Sequence, residues 1–244
     1  MDYHWLFLAV LPIIAFLYAS VGHGGASGYL ALMALFSFPE SVMRPTGLLL
    51  NLFVAAIAFY YFWKKGFFNS RLFFAFAIGS IPLSYLGGLM QVDPYYYKII
   101  LALLLVFAIL KLLNIYGKEN EEVNQIKWIP ALFIGAGIGF LSGLIGIGGG
   151  IILSPLILIL KWGNVKEAAA VSALFIWVNS ASGMIGQIHQ GASFSSNTWL
   201  YVAIALLGGL VGGYFGSSKL NNKTLRNMLA FVLILACLKL AFVH

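Results

Sequence analysis

The chain has 244 residues, of which 61% are hydrophobic and only 9% are charged, and its mean hydropathy is +0.96. Soluble domains are about 45–50% apolar and about 25% charged, so a chain this short could not hide its apolar surface from water. The composition therefore excludes a soluble globular protein and predicts an integral membrane protein in contact with lipid.

The net charge of +7 does not indicate nucleic acid binding, because the Lys and Arg residues lie in short loops without a basic stripe. The single cysteine, Cys237, excludes an intrachain disulfide, and no His pair has metal-ligand spacing. We therefore expect no cofactor, no metal and no nucleic acid partner. The segment Met1–Ser20 is apolar but carries Asp2 and no Lys or Arg, so we expect retained structure rather than a cleaved signal peptide.

Taken in chain order, the sequence has four apolar runs, a polar stretch and four more apolar runs of matching lengths. The runs cover residues 5–38, 44–63, 72–91 and 95–115, and then 128–161, 166–188, 198–216 and 224–243. A helix needs about 20 apolar residues to cross a bilayer, so the pattern predicts an all-α, polytopic membrane protein. We predict one membrane domain, with a first repeat over 1–116, a cytoplasmic linker over 117–127 and a second repeat over 128–244.

The repeat is also visible in short segments at a nearly constant separation. Val21–Ala26 aligns with Ile145–Gly150, Leu86–Leu89 with Val211–Tyr214, and Leu110–Leu112 with Leu238–Leu240. Glycine pairs recur by chance in glycine-rich membrane helices, but three matches in the same order favour a duplication, which is a common plan for transporters.

The first run of each half is too long for a single crossing. At 1.5 Å per residue, about 34 residues extend over roughly 51 Å, whereas the hydrocarbon core of a bilayer is about 30 Å thick. Each of these runs is interrupted by a glycine cluster. It could therefore be one broken span, two spans, or a hairpin that enters the membrane and returns.

The distribution of basic residues favours a run that returns to its starting side. In that topology every Lys and Arg except Arg44, Lys98 and Lys239 lies on one side, whereas a single crossing divides them about evenly. Basic residues concentrate in cytoplasmic loops. We therefore predict inverted repeats in the plasma (inner) membrane, with both termini on the non-cytoplasmic side. A hairpin and two full spans have the same parity, so the charges do not distinguish them.

The two glycine clusters are the candidate substrate site. Backbone that leaves the helical conformation at membrane depth is tolerated only where it faces protein or a water-filled cavity. Each cluster also precedes a short helical arm, whose N-terminus presents free N–H groups and the positive end of the helix dipole. Two such ends near the midplane favour a small anionic substrate. The clusters consist of Gly22, Gly24 and Gly25, and of Gly146, Gly148, Gly149 and Gly150.

Close helix packing is the alternative explanation for a membrane glycine. We assign Gly135, Gly137 and Gly139 to packing. The same alternative applies to Gly87, Gly88, Gly208, Gly209, Gly212 and Gly213.

Polar residues near the clusters complete the predicted site. No Asp, Glu, Lys or Arg lies well inside a predicted span, so His23 is the one titratable group near the clusters. His23 could bind the anion, carry a proton or simply be hydrogen-bonded at a turn. The other candidates could line the cavity or form interhelical hydrogen bonds. They are Asn51, Asn179, Ser180 and Ser182 in the spans that follow, and Ser20, Ser27, Ser142 and Ser154 beside the clusters.

The segment Gly143–Leu156, with sequence GLIGIGGGIILSPL, resembles the TauE/SafE sulfite exporter family, also called the toluene sulfonate uptake permease family. The signature of that family is Gly-x-Gly-Gly-Gly followed by apolar residues and Pro-Leu. The resemblance covers nearly the whole chain, although the first half departs from the signature: His23 and Ala26 replace the family-like pattern, and Ala31 stands where Pro155 stands.

What the resemblance implies is transport of sulfite, sulfonates or related organosulfur anions across the plasma membrane. The site residues that it carries over are Gly146, Gly148, Gly149, Gly150 and Pro155.

The leading hypothesis is a secondary anion transporter that works by alternating access, with proton coupling through His23 as an option. It is a transporter rather than an enzyme, because no acid is present to orient His23 beside Ser20 or Ser27. A passive anion channel, a family member with an unrelated small substrate, and an assembly subunit without flux remain the alternatives. The sequence does not indicate the oligomeric state.

Overall fold

The fold is all-α in the part of the chain that the computed structural model describes. That part comprises residues 4–36, 38–90, 93, 123–192 and 194–221, together with 223–225, 227, 228, 231 and 234. The helices are α1 (His4–Ser20), α2 (Ala26–Leu35), α3 (Glu40–Lys64), α4 (Ser70–Gly88), α5 (Trp128–Ile145), α6 (Gly150–Ile159), α7 (Val165–His189) and α8 (Thr198–Ser218).

Within these residues, five helices are long and apolar enough to cross a membrane: α3, α4, α5, α7 and α8. This confirms the predicted class, a polytopic helical membrane protein. The predicted run 95–115 lies outside the described residues, as do most of 224–243 and the pairing of Leu110–Leu112 with Leu238–Leu240.

Local sequence explains where several helices begin. The Oδ1 atom of Asn69 accepts the Leu72 N–H at 3.1 Å, which caps α4. At α7 the Asn164 side chain accepts the N–H groups of Lys166 and Glu167, and the Glu167 carboxylate accepts the Asn164 N–H at 2.8 Å. Such reciprocal capping satisfies donors that a helix leaves free at its start.

The first long run forms a helical hairpin. The ten residues of α2 extend only about 15 Å, too short to cross a bilayer. The hydroxyls of Tyr18 and Ser27 lie 2.8 Å apart near the break, and the ring of Phe7 stacks on that of Phe38 at 5.2 Å at the open end. Helices α1 and α2 are therefore antiparallel.

The second long run has the same form. Helix α6 is also ten residues long, and Gly149 at its start lies against Ile138 and Ser142 of α5. At the open end the Asn124 N–H donates to the Lys161 carbonyl at 2.7 Å. Of the three alternatives left by the sequence, the structure has the hairpin in both runs.

Glycines bring two pairs of helices into backbone contact. Those of α5 lie against carbonyl groups of α4, and those of α8 against carbonyl groups of α1. The pairs are Gly135 with Phe76, Gly139 with Ser80, Gly143 with Ser84, Gly208 with Pro12, Gly212 with Phe16, and Gly216 with Ser20. Residue numbers rise together in each pair, so α5 runs parallel to α4, and α8 runs parallel to α1.

This contact confirms the packing role predicted for Gly135, Gly139, Gly208 and Gly212, since small residues let membrane helices approach closely. The prediction was wrong for Gly137. A Cβ there would meet no atom within 4 Å, so Gly137 does not lie at a close contact between helices.

Helices α3 and α7 form the centre, and both hairpins pack against them. Asn51 of α3 contacts Ser180 of α7 at one level, and Phe62 of α3 packs on Ala169 at another. The numbers run in opposite senses, so α3 and α7 are antiparallel. Helix α7 also packs on α4, and α3 packs on α8.

Candidate functional site

The two breaks have related backbone conformations. Gly22 and Gly146, which the repeat aligns, have φ angles of +77° and +83°, and Gly25 and Gly149 have +99° and +77°. These angles lie in the left-handed region, which only glycine adopts at little cost. Gly148 departs from the symmetry, since its φ is +75° whereas its counterpart in the first break is not in that region.

The glycines also bring the breaks close to α3 and α7. A Cβ at Gly22 would lie 2.6 Å from Cα of Ala169, and a Cβ at Gly148 would lie 2.6 Å from Nδ2 of Asn51. A Cβ at Gly24 would collide with Oδ1 of the same Asn51. Both breaks therefore pack against the Asn51 side chain, and a Cβ at Gly24 or Gly148 would push that side chain away.

Asn51 links the two breaks and is fully buried. Its Oδ1 accepts the Ala26 N–H at 2.9 Å and thereby caps α2. Its Nδ2 donates to the Ile147 carbonyl at 3.2 Å and to Oγ of Ser180 at 3.3 Å. The structure thus brings together Asn51, Ser180 and both glycine clusters.

His23 forms a second link between the breaks, with only 1% of its surface exposed. Its Nδ1 lies 3.1 Å from the Val21 carbonyl oxygen, and its Nε2 lies 3.0 Å from the Gly150 carbonyl oxygen. A neutral imidazole has one N–H, whereas an imidazolium has two. Only the protonated ring can donate to both carbonyls at once.

The N-termini of the two short helices differ in their capping. The Asn51 side chain caps the start of α2, whereas no side chain in the described part of the chain caps α6 at Gly149. The first N–H groups of a helix have no partner within it. Beside Gly149 lies Ser142, whose buried hydroxyl has no hydrogen-bond partner among the described residues. The start of α6 is therefore the end at which amide and hydroxyl groups are available to an anion.

The remaining predicted residues lie near the breaks but make other contacts. The Ser27 hydroxyl pairs with Tyr18, and Pro155 is buried inside α6. Asn179 faces α4, where its Nδ2 donates to Oγ of Ser80 at 3.1 Å, and to the Phe175 carbonyl of its own helix at 2.8 Å. These contacts correspond to the interhelical alternative for Asn179.

Arg44 is a residue beside the second break that the sequence analysis left at a span end. Its guanidinium donates to the carbonyl of Leu144 in the last turn of α5. Its own carbonyl oxygen lies 3.4 Å from the Cβ position of Gly146. Arg44 lies two helical turns before Asn51 and therefore on the same side of α3, the side that faces the breaks. This spacing was the feature of the sequence that could have identified it.

The chain is similar in sequence to known membrane transporter proteins. Residues 6–240 match the family model described as sulfite exporter TauE/SafE. A probable membrane transporter protein (y4hK) of Sinorhizobium fredii is 37% identical over 93% of this chain and 94% of its own length. A probable membrane transporter protein (MJ0441) of Methanocaldococcus jannaschii is 29% identical over 93% of each chain. No solved structure matches.

Proposed function

Because the chain belongs to the sulfite exporter TauE/SafE family and is a membrane transporter of that family, we propose that it carries a small anion by alternating access around the paired breaks. Sulfite, a sulfonate or a related organosulfur anion is the proposed substrate. The proposed location is the plasma membrane, with both termini on the non-cytoplasmic side.

The directions of the helices support inverted repeats. Helices α1, α3 and α8 run one way, and α4, α5 and α7 run the other way, as their contacts require. Among the described helices, α1, α3 and α4 are therefore antiparallel to their counterparts α5, α7 and α8. Inverted repeats that can exchange conformations are the usual basis of alternating access.

The observation that carries the proposal is the uncapped start of α6 inside the membrane domain. Its N–H groups, the positive end of its dipole and the unpartnered Ser142 hydroxyl suit an anion. Asn51 holds this break against the other one, so a movement of either hairpin changes the site. An anion bound there would contact elements of both halves.

We propose further that His23 couples transport to protons. The described groups around its ring are the Val21 and Gly150 carbonyls and the Tyr18 ring, with centroids 6.5 Å apart. The imidazolium would satisfy both carbonyls, but a positive charge at this depth is costly without a counter-charge. An anion at the start of α6 would supply that counter-charge, so proton and anion favour each other.

Flux into liposomes containing the purified protein tests the proposal. We expect saturable uptake of sulfite or methanesulfonate that increases when a pH gradient is imposed. Flux that does not saturate and exceeds the rate of a conformational cycle would instead indicate a passive anion channel. Folded protein without flux of any small sulfur anion would contradict the proposed substrate class.

A further inference from the structure

Buried polar residues follow one side of α7, where this helix packs against α4. Asn179, Gly183 and Gln187 are spaced by four residues, and positions four apart lie on the same side of a helix. Asn179 is fully buried and Gln187 is 4% exposed. From α4, the Ser84 hydroxyl donates to the Asn179 carbonyl at 2.8 Å. We call the contact formed by Ser84, Asn179, Gly183 and Gln187 the polar seam.

Glycines close the polar seam. A Cβ at Gly183 would lie 3.0 Å from Cα of Gly143 in α5 and 3.1 Å from Oγ of Ser84 in α4. A Cβ at Gly186 would lie 2.5 Å from the Tyr85 carbonyl oxygen. Helices α4, α5 and α7 therefore meet backbone to backbone, and an anion cannot pass between them in this conformation.

The polar seam extends from the second break to the end of α7. A Cβ at Gly148 of the break would lie 2.9 Å from Oγ of Ser180, the residue after Asn179. Farther along α7, Nε2 of Gln187 donates to the Gly143 carbonyl at 3.3 Å, in the last turn of α5. Because Gln187 is only two residues from the end of α7, the seam connects the break with the surface of the membrane domain.

Close packing alone does not explain the polar side chains of the seam. Glycine contact needs no polar residue, since Gly209 of α8 lies against Val54 of α3. Oδ1 of Asn179 and Oε1 of Gln187 are buried without a hydrogen-bond partner among the described residues, as is the Ser142 hydroxyl beside the break. Such atoms cost free energy that water would recover if the helices separated. Polar groups placed at such a cost within membrane spans mark substrate pathways.

We propose that the polar seam is the closed entrance through which the anion reaches the second break, and that Gln187 holds it shut. When α7 separates from α4 and α5, the Ser84 hydroxyl and the amides of Asn179 and Gln187 face water and form hydrogen bonds with the passing oxyanion. In the topology proposed above, this entrance opens to the non-cytoplasmic side, where α7 ends. The inference rests on the proposed function and names the route to that site.

Reaction of Ser84→Cys with an impermeant methanethiosulfonate tests the inference, in a chain with Cys237→Ser. Ser84 is fully buried here, so its thiol reacts only if the seam opens. The reagent is added to the non-cytoplasmic side of sealed, uniformly oriented vesicles. We expect modification several-fold faster than that of Thr198→Cys. Thr198 is the matched control, because it is equally buried at the start of α8, which packs on α1 and α3.

Equal rates at the two positions would show that the seam does not open selectively and would overturn the inference. If Ser84→Cys does not fold, Gln187→Cys serves as the reporter with the same expectation.

The modified cysteine also tests the route itself, because the attached group fills the entrance. Methanesulfonate flux should be lost on modification of Ser84→Cys and should return when dithiothreitol removes the group. Unchanged flux in fully modified protein would mean that the anion takes another path, and would contradict the inference. Absence of flux in the unmodified chain, with Ser84→Cys still reactive, would instead contradict the proposed function.

Gln187→Ala tests the part assigned to Gln187. It removes the hydrogen bond to the Gly143 carbonyl, so the open state gains population and Ser84→Cys should react about fivefold faster, as the loss of one hydrogen bond implies. Gln190→Ala is the control, since Gln190 is exposed just after α7 and should leave the rate unchanged. The same rate in Gln187→Ala as in the parent chain would show that Gln187 does not hold the entrance shut.

Discussion

At the scale of single residues, two buried polar side chains hold the breaks together. Asn51 reaches the Ala26 N–H and the Ile147 carbonyl, and His23 reaches the Gly150 carbonyl. Buried hydrogen bonds of this kind are costly to lose when one partner stays behind unsatisfied. Both residues therefore couple the positions of the two hairpins, but only His23 can change its charge.

The role proposed for His23 predicts a specific effect of His23→Gln. The glutamine amide can still donate to a carbonyl but cannot take up a proton, so transport should continue without acceleration by a pH gradient. The measurement is sulfite flux into liposomes with and without the gradient. His189→Gln is the control, because His189 is exposed at the end of α7 and contacts Tyr85 at 3.0 Å.

If the pH gradient accelerates sulfite transport by His23→Gln as much as transport by the unmodified protein, His23 is not the proton carrier. In that outcome the ring would serve only as a hydrogen-bonded link between the breaks.

At the scale of helices, the close contact between parallel neighbours depends on small residues. In lipid, helices associate through close packing because the tails are as apolar as the side chains. Gly139 permits the contact of α5 with α4, and its Cβ would lie 2.5 Å from Cα of Ser80. A Cβ at Gly137, two residues earlier on the same helix, would meet no atom within 4 Å.

These two glycines form a matched pair for substitution by alanine. Both lie inside α5, so both gain about the same helix propensity, up to about 1 kcal/mol. Gly139→Ala must also separate α5 from α4, and we expect this overpacking to cost about 1–3 kcal/mol. Thermal unfolding in detergent should show a lower midpoint for Gly139→Ala than for Gly137→Ala. Equal midpoints would contradict the packing assigned to Gly139.

At the scale of the whole molecule, the helix directions imply that equivalent loops lie on opposite sides of the membrane. Helices α3 and α7 are antiparallel, and each is followed by a turn with a positive-φ glycine, Gly66 and Gly191. The loop after α3 and the loop after α7 should therefore be reached from different compartments.

Single cysteines at Lys65 and Gln190 test this topology in a chain with Cys237→Ser. Both positions are exposed, so a thiol at either should react with an impermeant maleimide. Added to sealed, uniformly oriented vesicles, the reagent should label one position only. Labelling of both from the same side would contradict the inverted arrangement.

Much of this architecture could be predicted from the sequence, because the features involved are repeated. The alignment of Val21–Ala26 with Ile145–Gly150 located both breaks, and the composition fixed the membrane class. Asn51 was found because a polar residue inside an apolar span is conspicuous. Asn179 had the same signal, yet it faces α4. Tertiary packing decides which side of a helix contacts a neighbouring helix. When a helix is apolar on every side, its sequence does not show which side that is.

Arg44 was missed for a related reason. An arginine at the start of a span has the appearance of an interfacial charge, and only the hairpin geometry carries the end of α5 to it. The structure also shows that Arg44 lies against Gly146 of the second break, as Ala169 lies against Gly22 of the first.

The most direct test of the central claim is sulfite flux in liposomes that contain Gly148→Ala, with Gly137→Ala as the control. The methyl group at Gly148 requires a strained φ and collides with Asn51 between the breaks, whereas the one at Gly137 points into open space. Size-exclusion chromatography first checks that both variants are folded. We then expect Gly137→Ala to transport like the unmodified protein and Gly148→Ala to lose most of its flux. Equal flux from the two variants would contradict an anion site at the paired breaks.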